Sequence, residues 1–152
     1  MTERKTGARI LSSSHLAEGD WAGLSEMEFG LIVAGHAFDR WIVRCMAAAG
    51  VPDLAVTDVL VLHHVHHRDR GKKLADICFT LNYEDSHVVS YALRKLANLG
   101  LVAGEKIGKE VFWSTTAPGG ETGQRYREAR DRCLPGRATE TLRAGESRAG
   151  RT

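Results

Sequence analysis

The sequence predicts a mainly α fold of the α+β class. Five helical segments are expected, with a two-stranded hairpin between the fourth and the fifth. Three observations predict it. Apolar residues recur at helical spacing over most of residues 24–99. From Lys72 to Thr116 a short amphipathic run, a turn, a longer amphipathic run, a glycine exit and two strand-like runs follow one another without a gap. That order is a helix-turn-helix with a β-hairpin wing. Finally, 152 residues with 43% hydrophobic and 26% charged content suit one soluble domain.

The chain divides into an arm over 1–23, a folded domain over 24–134 and a tail over 135–152. The arm is polar and small, with Ser12, Ser13 and Ser14 in a row. It reads as flexible. Ser25 and Glu28 have the spacing of a capping box, so a helix is expected from Leu24 to Ala49. Leu24, Met27, Leu31, Gly35, Phe38, Ile42 and Cys45 form one stripe on it. Phe29, Ile32, Val33, Trp41 and Met46 form a second. A helix apolar over so much of its circumference must be buried on two sides. In so small a chain one side is expected to meet a second subunit, through Leu24, Met27, Leu31, Phe38, Trp41 and Ile42. Gly50 and Pro52 end this helix.

Asp53 is expected to cap a second helix over 54–67, with Val56, Val59, Leu60, Leu62 and Val65 inward. The turn Arg68-Asp69-Arg70-Gly71 follows. A third helix is expected over 72–79, with Leu74, Ile77 and Cys78 inward, and Thr80-Leu81-Asn82 as its turn. Asp85 or Asn82 caps a fourth helix that ends at Leu99, with Val89, Ala92, Leu93, Leu96 and Leu99 inward. Gly100 suits a left-handed exit. Strands are expected over 101–106 and 110–116, joined across Ile107-Gly108-Lys109. Pro118, Gly119 and Gly120 are expected to break the chain before a last helix over 121–134. The tail is poor in apolar residues and reads as disordered.

Composition bounds the function. A net charge of +2 and a pI near 8.5 are too mild to announce a nucleic-acid binder, so any basic surface must be local. Cys45, Cys78 and Cys133 lie far apart in sequence without a CxxC pair, which fits a reducing compartment. Cys45 and Cys78 fall on apolar stripes, and Cys133 is the most exposed candidate. The N-terminus has no apolar core of a signal peptide, and no run is long enough to span a membrane, so a cytoplasmic protein is expected. No phosphate loop, nucleophile elbow or His-Glu-x-x-His frame occurs, so an enzyme is not expected, nor a cofactor.

With LAVTDVLVLHHV before it, KLADICFTLNYEDSHVVSYALRKLANLGLV as its centre and KEVFWSTTAPG at its end, the stretch resembles the MarR family of winged-helix transcription regulators. The resemblance covers residues 24–134. RKLANLGLV is its most specific piece. The chain lacks the Asp-x-Arg signature of the family's wing and has a shorter wing, as a divergent branch would. The resemblance implies a homodimer joined through its first and last helices, double-stranded DNA as a partner, and an unidentified small-molecule effector.

A reading helix needs donors and acceptors opposite its core stripe. Those residues are Ser86, His87, Ser90, Tyr91 and Arg94. Phosphate contacts are expected from Arg68, Arg70, Lys72, Lys73, Lys95, Lys106 and Lys109. The plainer alternative is a solvated helix face on a winged-helix module that binds protein instead of DNA. A second alternative is a metal-sensing regulator. His63 and His67, spaced i and i+4 in a cluster with His64 and His66, are its candidate ligands.

Overall fold

The computed structural model describes residues 22–67 and 70–133. The expected flexible arm and disordered tail lie outside these residues, except that Ala22 and Gly23 already belong to the first helix. The elements in order are α1 (Ala22–Ala48), α2 (Val56–His66), β1 (Lys72–Lys73), α3 (Leu74–Leu81), α4 (Ser86–Asn98), β2 (Val102–Ile107), β3 (Glu110–Thr115) and α5 (Ala117–Cys133). The chain separates into two compact units, residues 1–39 and 40–152.

The described part of the first unit is the leading portion of α1. It leaves Leu24, Met27, Leu31, Ile32, Val33 and Phe38 about half exposed or more.

The second unit holds the core. Ile42, Met46, Val59, Val61, Leu62, Val65, Ile77, Val89, Leu93 and Leu96 are essentially inaccessible to water. They come from α1, α2, α3 and α4. The i, i+3, i+4, i+7 series Val89, Ala92, Leu93 and Leu96 is the buried face of α4, as its periodicity requires. Each such side chain contributes roughly 1.5–3 kcal/mol by leaving water.

Four details differ from the sequence expectation. Ile42 is 1% exposed inside this core, so it is spent on the subunit's own packing and does not reach a partner. Leu99 is 52% exposed, because α4 ends at Asn98 and Leu99 turns out as its C-cap. Lys72 and Lys73 do not open a helix. They form β1, which pairs antiparallel with β3 through Lys72–Trp113 and Lys73–Phe112, so the expected hairpin is a three-stranded sheet of order β1-β3-β2. Two residues carry too little periodicity to announce a strand. The last helix starts four residues early. Thr116 caps it by accepting from Gly119 N at 3.1 Å, and Pro118 sits in the first turn, where its missing N–H costs nothing.

Two glycines then matter by contact. A methyl at Gly119 would overlap the Leu101 carbonyl, and one at Gly123 would sit 2.6 Å from the His66 ring. These positions let α5 lie directly on the start of β2 and on α2. The wing turn is Gly108-Lys109, because Ile107 already pairs with Glu110. Gly108 takes a φ of 64°, the left-handed region that a tight hairpin demands at its first turn residue.

Candidate nucleic-acid interface

Asp85 starts α4. Its side chain accepts from His87 N at 2.8 Å, so Asp85 is the cap, while Asn82 takes a φ of 56° as the left-handed C-cap of α3. The turn between α3 and α4 is fixed further by Tyr83, whose hydroxyl lies 2.9 Å from Thr57 Oγ1 on α2.

Opposite the buried stripe, Ser86, His87, Tyr91 and Arg94 are exposed. Tyr91 is 67% exposed. Ser90 is half-buried. It lines a cleft of about 440 Å³ with Lys73, Leu74, Leu93, Val111 and Trp113, where α3, α4 and the wing meet. Arg94 folds back along its own helix, its Nε donating to Ser90 O at 3.4 Å. Four of the five expected reading residues thus share one open surface, and Ser90 stands at its edge.

The expected phosphate contacts divide more sharply. Arg70, Lys106 and Lys109 are exposed. Arg68 lies outside the described residues. Lys73 is half-exposed, paired with Glu110 at 2.6 Å, and its ammonium stands 5.3 Å above the Phe112 ring. The Glu110 hydrogen bond pushes the Lys73 pKa up.

Lys72 does not stand where a phosphate could reach it. It is 7% exposed, and its Nζ donates to Val65 O at 2.9 Å, His67 O at 2.5 Å and Arg70 O at 3.3 Å. The last carbonyls of a helix lack intrahelical donors, and a cation favours that end. Lys72 closes the end of α2 in this way. Lys95 is also drawn inward. Its Nζ lies 2.6 Å from the Asp58 carboxylate and donates to Asp53 O at 3.0 Å. Asp58, 3% exposed, accepts from Ala55 N at 2.9 Å as well. Asp58 rather than Asp53 therefore satisfies the start of α2, and its charge is matched by a lysine of α4. Neither lysine was separable from its exposed neighbours by sequence, since the partners are backbone carbonyls and a carboxylate far along the chain.

The histidines show packing. His63 is half-buried, with its ring edge-on to Tyr126 at 5.7 Å between centroids. Its pKa is lowered to about 4, first by desolvation and then by Arg130, His67, His66 and Arg127. Burial also lowers the His64 pKa, with Lys72 and His67 adding to the effect. His67 is the C-cap of α2 with φ −69° and ψ 127°. Its N–H still donates to His63 O at 3.1 Å, so the two residues keep their i, i+4 spacing. Among the described residues no group of three or more His, Cys, Asp or Glu is placed to hold a metal ion.

One exposed apolar residue of α3 was not anticipated. Phe79, near the end of α3 beside the turn into α4, is 89% exposed. With Leu74, Ile77, Cys78 and Leu81 turned to the core, residue 79 falls on the opposite face. The helical period could have placed it there.

Residues 54–119 match the family described as winged helix DNA-binding domain. The matched segment is less than half of the chain. It spans α2 to the first turn of α5 and includes every expected reading residue. The fold of the chain is that of MarR-family regulators, as its resemblance implied. Reduced AbfR bound to DNA superposes with a TM-score of 0.66 at 20% identity, over 84% of this chain and 90% of that one. A MarR-family transcriptional regulator from Rhodococcus sp. RHA1 gives 0.61 at 17% identity, over 80% and 89%. MepR, a transcription regulator of the Staphylococcus aureus multidrug efflux pump MepA, gives 0.62 at 15%, over 80% and 94%. At such identities the likeness is one of fold. No curated protein sequence matches the chain significantly. No helix among the described residues is long and apolar enough to cross a membrane.

Proposed function

We propose that the chain is a cytoplasmic, non-enzymatic transcription regulator of the MarR type, which binds a specific double-stranded DNA site as a homodimer. The observation that carries this reading is the division of α4. One face is fully buried on the core, and the other presents Ser86, His87, Tyr91 and Arg94 to solvent on a domain of DNA-binding type. Serine and histidine near the start of the helix suit base edges. Arg94 suits a guanine edge once it releases its contact with Ser90 O, and Tyr91 suits a thymine methyl. Arg70, Lys106 and Lys109 supply phosphate contacts that fix the register. AbfR, a protein of the same fold, is known bound to DNA, which supports DNA as the partner.

The homodimer rests on the exposed apolar stripe Leu24, Met27, Leu31 and Phe38. Two copies joined there would present two reading helices to a pseudo-palindromic site, whose half-sites lie about 34 Å apart or a multiple of it. A small-molecule effector would act by changing that spacing.

The test is selection of binding sites from random duplex DNA, followed by titration across a salt series. A specific site whose affinity falls steeply with salt is expected. Arg94→Ala should cost about 1–3 kcal/mol on that site and relax the preference at one base pair. A protein with no salt-dependent affinity for any duplex would overturn the reading in favour of a protein-interaction module. Sedimentation should show a dimer, and Leu31→Glu should yield monomers.

A further inference from the structure

Where the end of α2 meets α3, a cleft of about 380 Å³ is lined by His64, His67, Arg70, Lys72, Asp76 and Thr80. All six side chains are polar. The cleft lies on the flank of α3 away from the wing, because Leu74 and Ala75 line the cleft on the wing side. Among the described residues, no hydrogen bond or ion pair engages the Arg70 guanidinium, the Asp76 carboxylate or the Thr80 hydroxyl.

The electrostatics of the cleft favour an anion. The carbonyls at the end of α2 would repel one. Lys72 removes that obstacle by donating to the Val65, His67 and Arg70 carbonyls. Its donors are spent there, so it gives the cleft charge rather than hydrogen bonds. Arg70 keeps its donors, and a planar guanidinium fork suits two oxygens of one tetrahedral oxyanion. The Thr80 hydroxyl adds a neutral donor. So does His64, whose pKa is lowered by burial and then by Lys72 and His67, which leaves its ring neutral at pH 7. Asp76 decides which anion fits. A carboxylate repels any anion that does not bring it a proton to accept.

We propose that this cleft binds inorganic phosphate, with Arg70 and Thr80 donating to its oxygens and Asp76 accepting from its P–O–H. Inorganic phosphate carries at least one such hydroxyl at neutral pH. Sulfate is the same shape and carries none, so the cleft discriminates against it. Arg70 is shared with the DNA contacts proposed above, but a phosphodiester likewise has no proton for Asp76. His64, His67 and Asp76 do not form a metal site, since no group of that kind occurs among the described residues.

Isothermal titration calorimetry of the full chain, in phosphate-free buffer at pH 7 and fixed ionic strength, compares sodium phosphate with sodium sulfate. Saturable binding of one phosphate per chain is expected, with sulfate weaker by about tenfold or more. Arg70→Ala should weaken phosphate by about tenfold. Asp76→Asn should erase the preference, because an amide donates to sulfate as readily as it accepts from phosphate. Both positions are exposed, and circular dichroism checks that each variant keeps the fold. Absence of saturable phosphate binding would overturn the proposal. So would equal affinity of the wild-type chain for the two anions, or a preference that survives Asp76→Asn. None of these outcomes depends on whether the chain binds DNA.

Discussion

Replacing Lys72 by Met separates two accounts of one residue. As a phosphate contact, Lys72 would leave stability untouched when removed, and the salt dependence of DNA binding would weaken by about 0.9 in log–log slope. The structure requires the opposite. Methionine keeps the length and apolar stem of the side chain but withdraws the donor from three carbonyls. His67 and Arg70 are exposed, so water replaces the ammonium at their carbonyls at small cost. Val65 is 1% exposed, and its carbonyl is left without the lysine. A buried acceptor so orphaned costs about 1–3 kcal/mol, and the lost charge-assisted bonds weigh toward the upper end. We expect a destabilisation of about 2–3 kcal/mol. Urea unfolding followed by circular dichroism measures it, and fluorescence anisotropy with duplex DNA gives the slope. A variant as stable as wild type whose salt slope falls by about one unit would refute the argument and restore Lys72 to the DNA interface.

Other expectations follow from the same geometry. Asp58→Ala strands the Lys95 ammonium and the Ala55 N–H, and should cost about 2–4 kcal/mol in urea unfolding; Asp53→Ala should cost well under 1 kcal/mol, because it is Asp53's backbone carbonyl that Lys95 uses. His63 is protonated near 6.5 in the unfolded chain but only near 4 in the fold. Its contribution is therefore full above pH 6.5 and is lost as pH falls toward 4. After discounting for the ring's partial exposure it amounts to roughly 1–2 kcal/mol. His63→Gln should flatten stability over that window, and an unchanged pH profile would dispose of the idea. Gly119→Ala should lower Tm by several degrees, equivalent to about 1–3 kcal/mol, as α5 is pushed off the Leu101 carbonyl. An unshifted melting curve would show that this close approach is not required.

The sequence by itself determined the elements whose signals are local. Val89, Ala92, Leu93 and Leu96 are periodic because one face of one helix is buried, and that period is legible without knowing what covers it. Asp85 at the start of α4 and Gly100 at its end are short-range backbone requirements, and both are met, with Gly100 at a φ of 72°. The exposed face of α4 is the complement of the buried stripe, so the exposure of Ser86, His87, Tyr91 and Arg94 was legible for the same reason.

Only the tertiary structure decided what depends on residues far apart in the chain. Lys72, Lys73 and Lys95 look alike as letters. One became the closure of α2, one half of an exposed ion pair, and one the partner of a buried aspartate. β1 exists because β3 offers it a ladder, since two residues make no strand alone. Trp41 and Ile42 are neighbours on one apolar helix. Ile42 is sealed in the core and Trp41 lies under Arg130, while the stripe before them stays open. Arg125 meets the Ala49 carbonyl, 76 residues away in sequence, because α5 packs against the end of α1. Periodicity reports that a face must be covered. Which side chain, carbonyl or subunit covers it is set by packing between segments, and no local pattern encodes that.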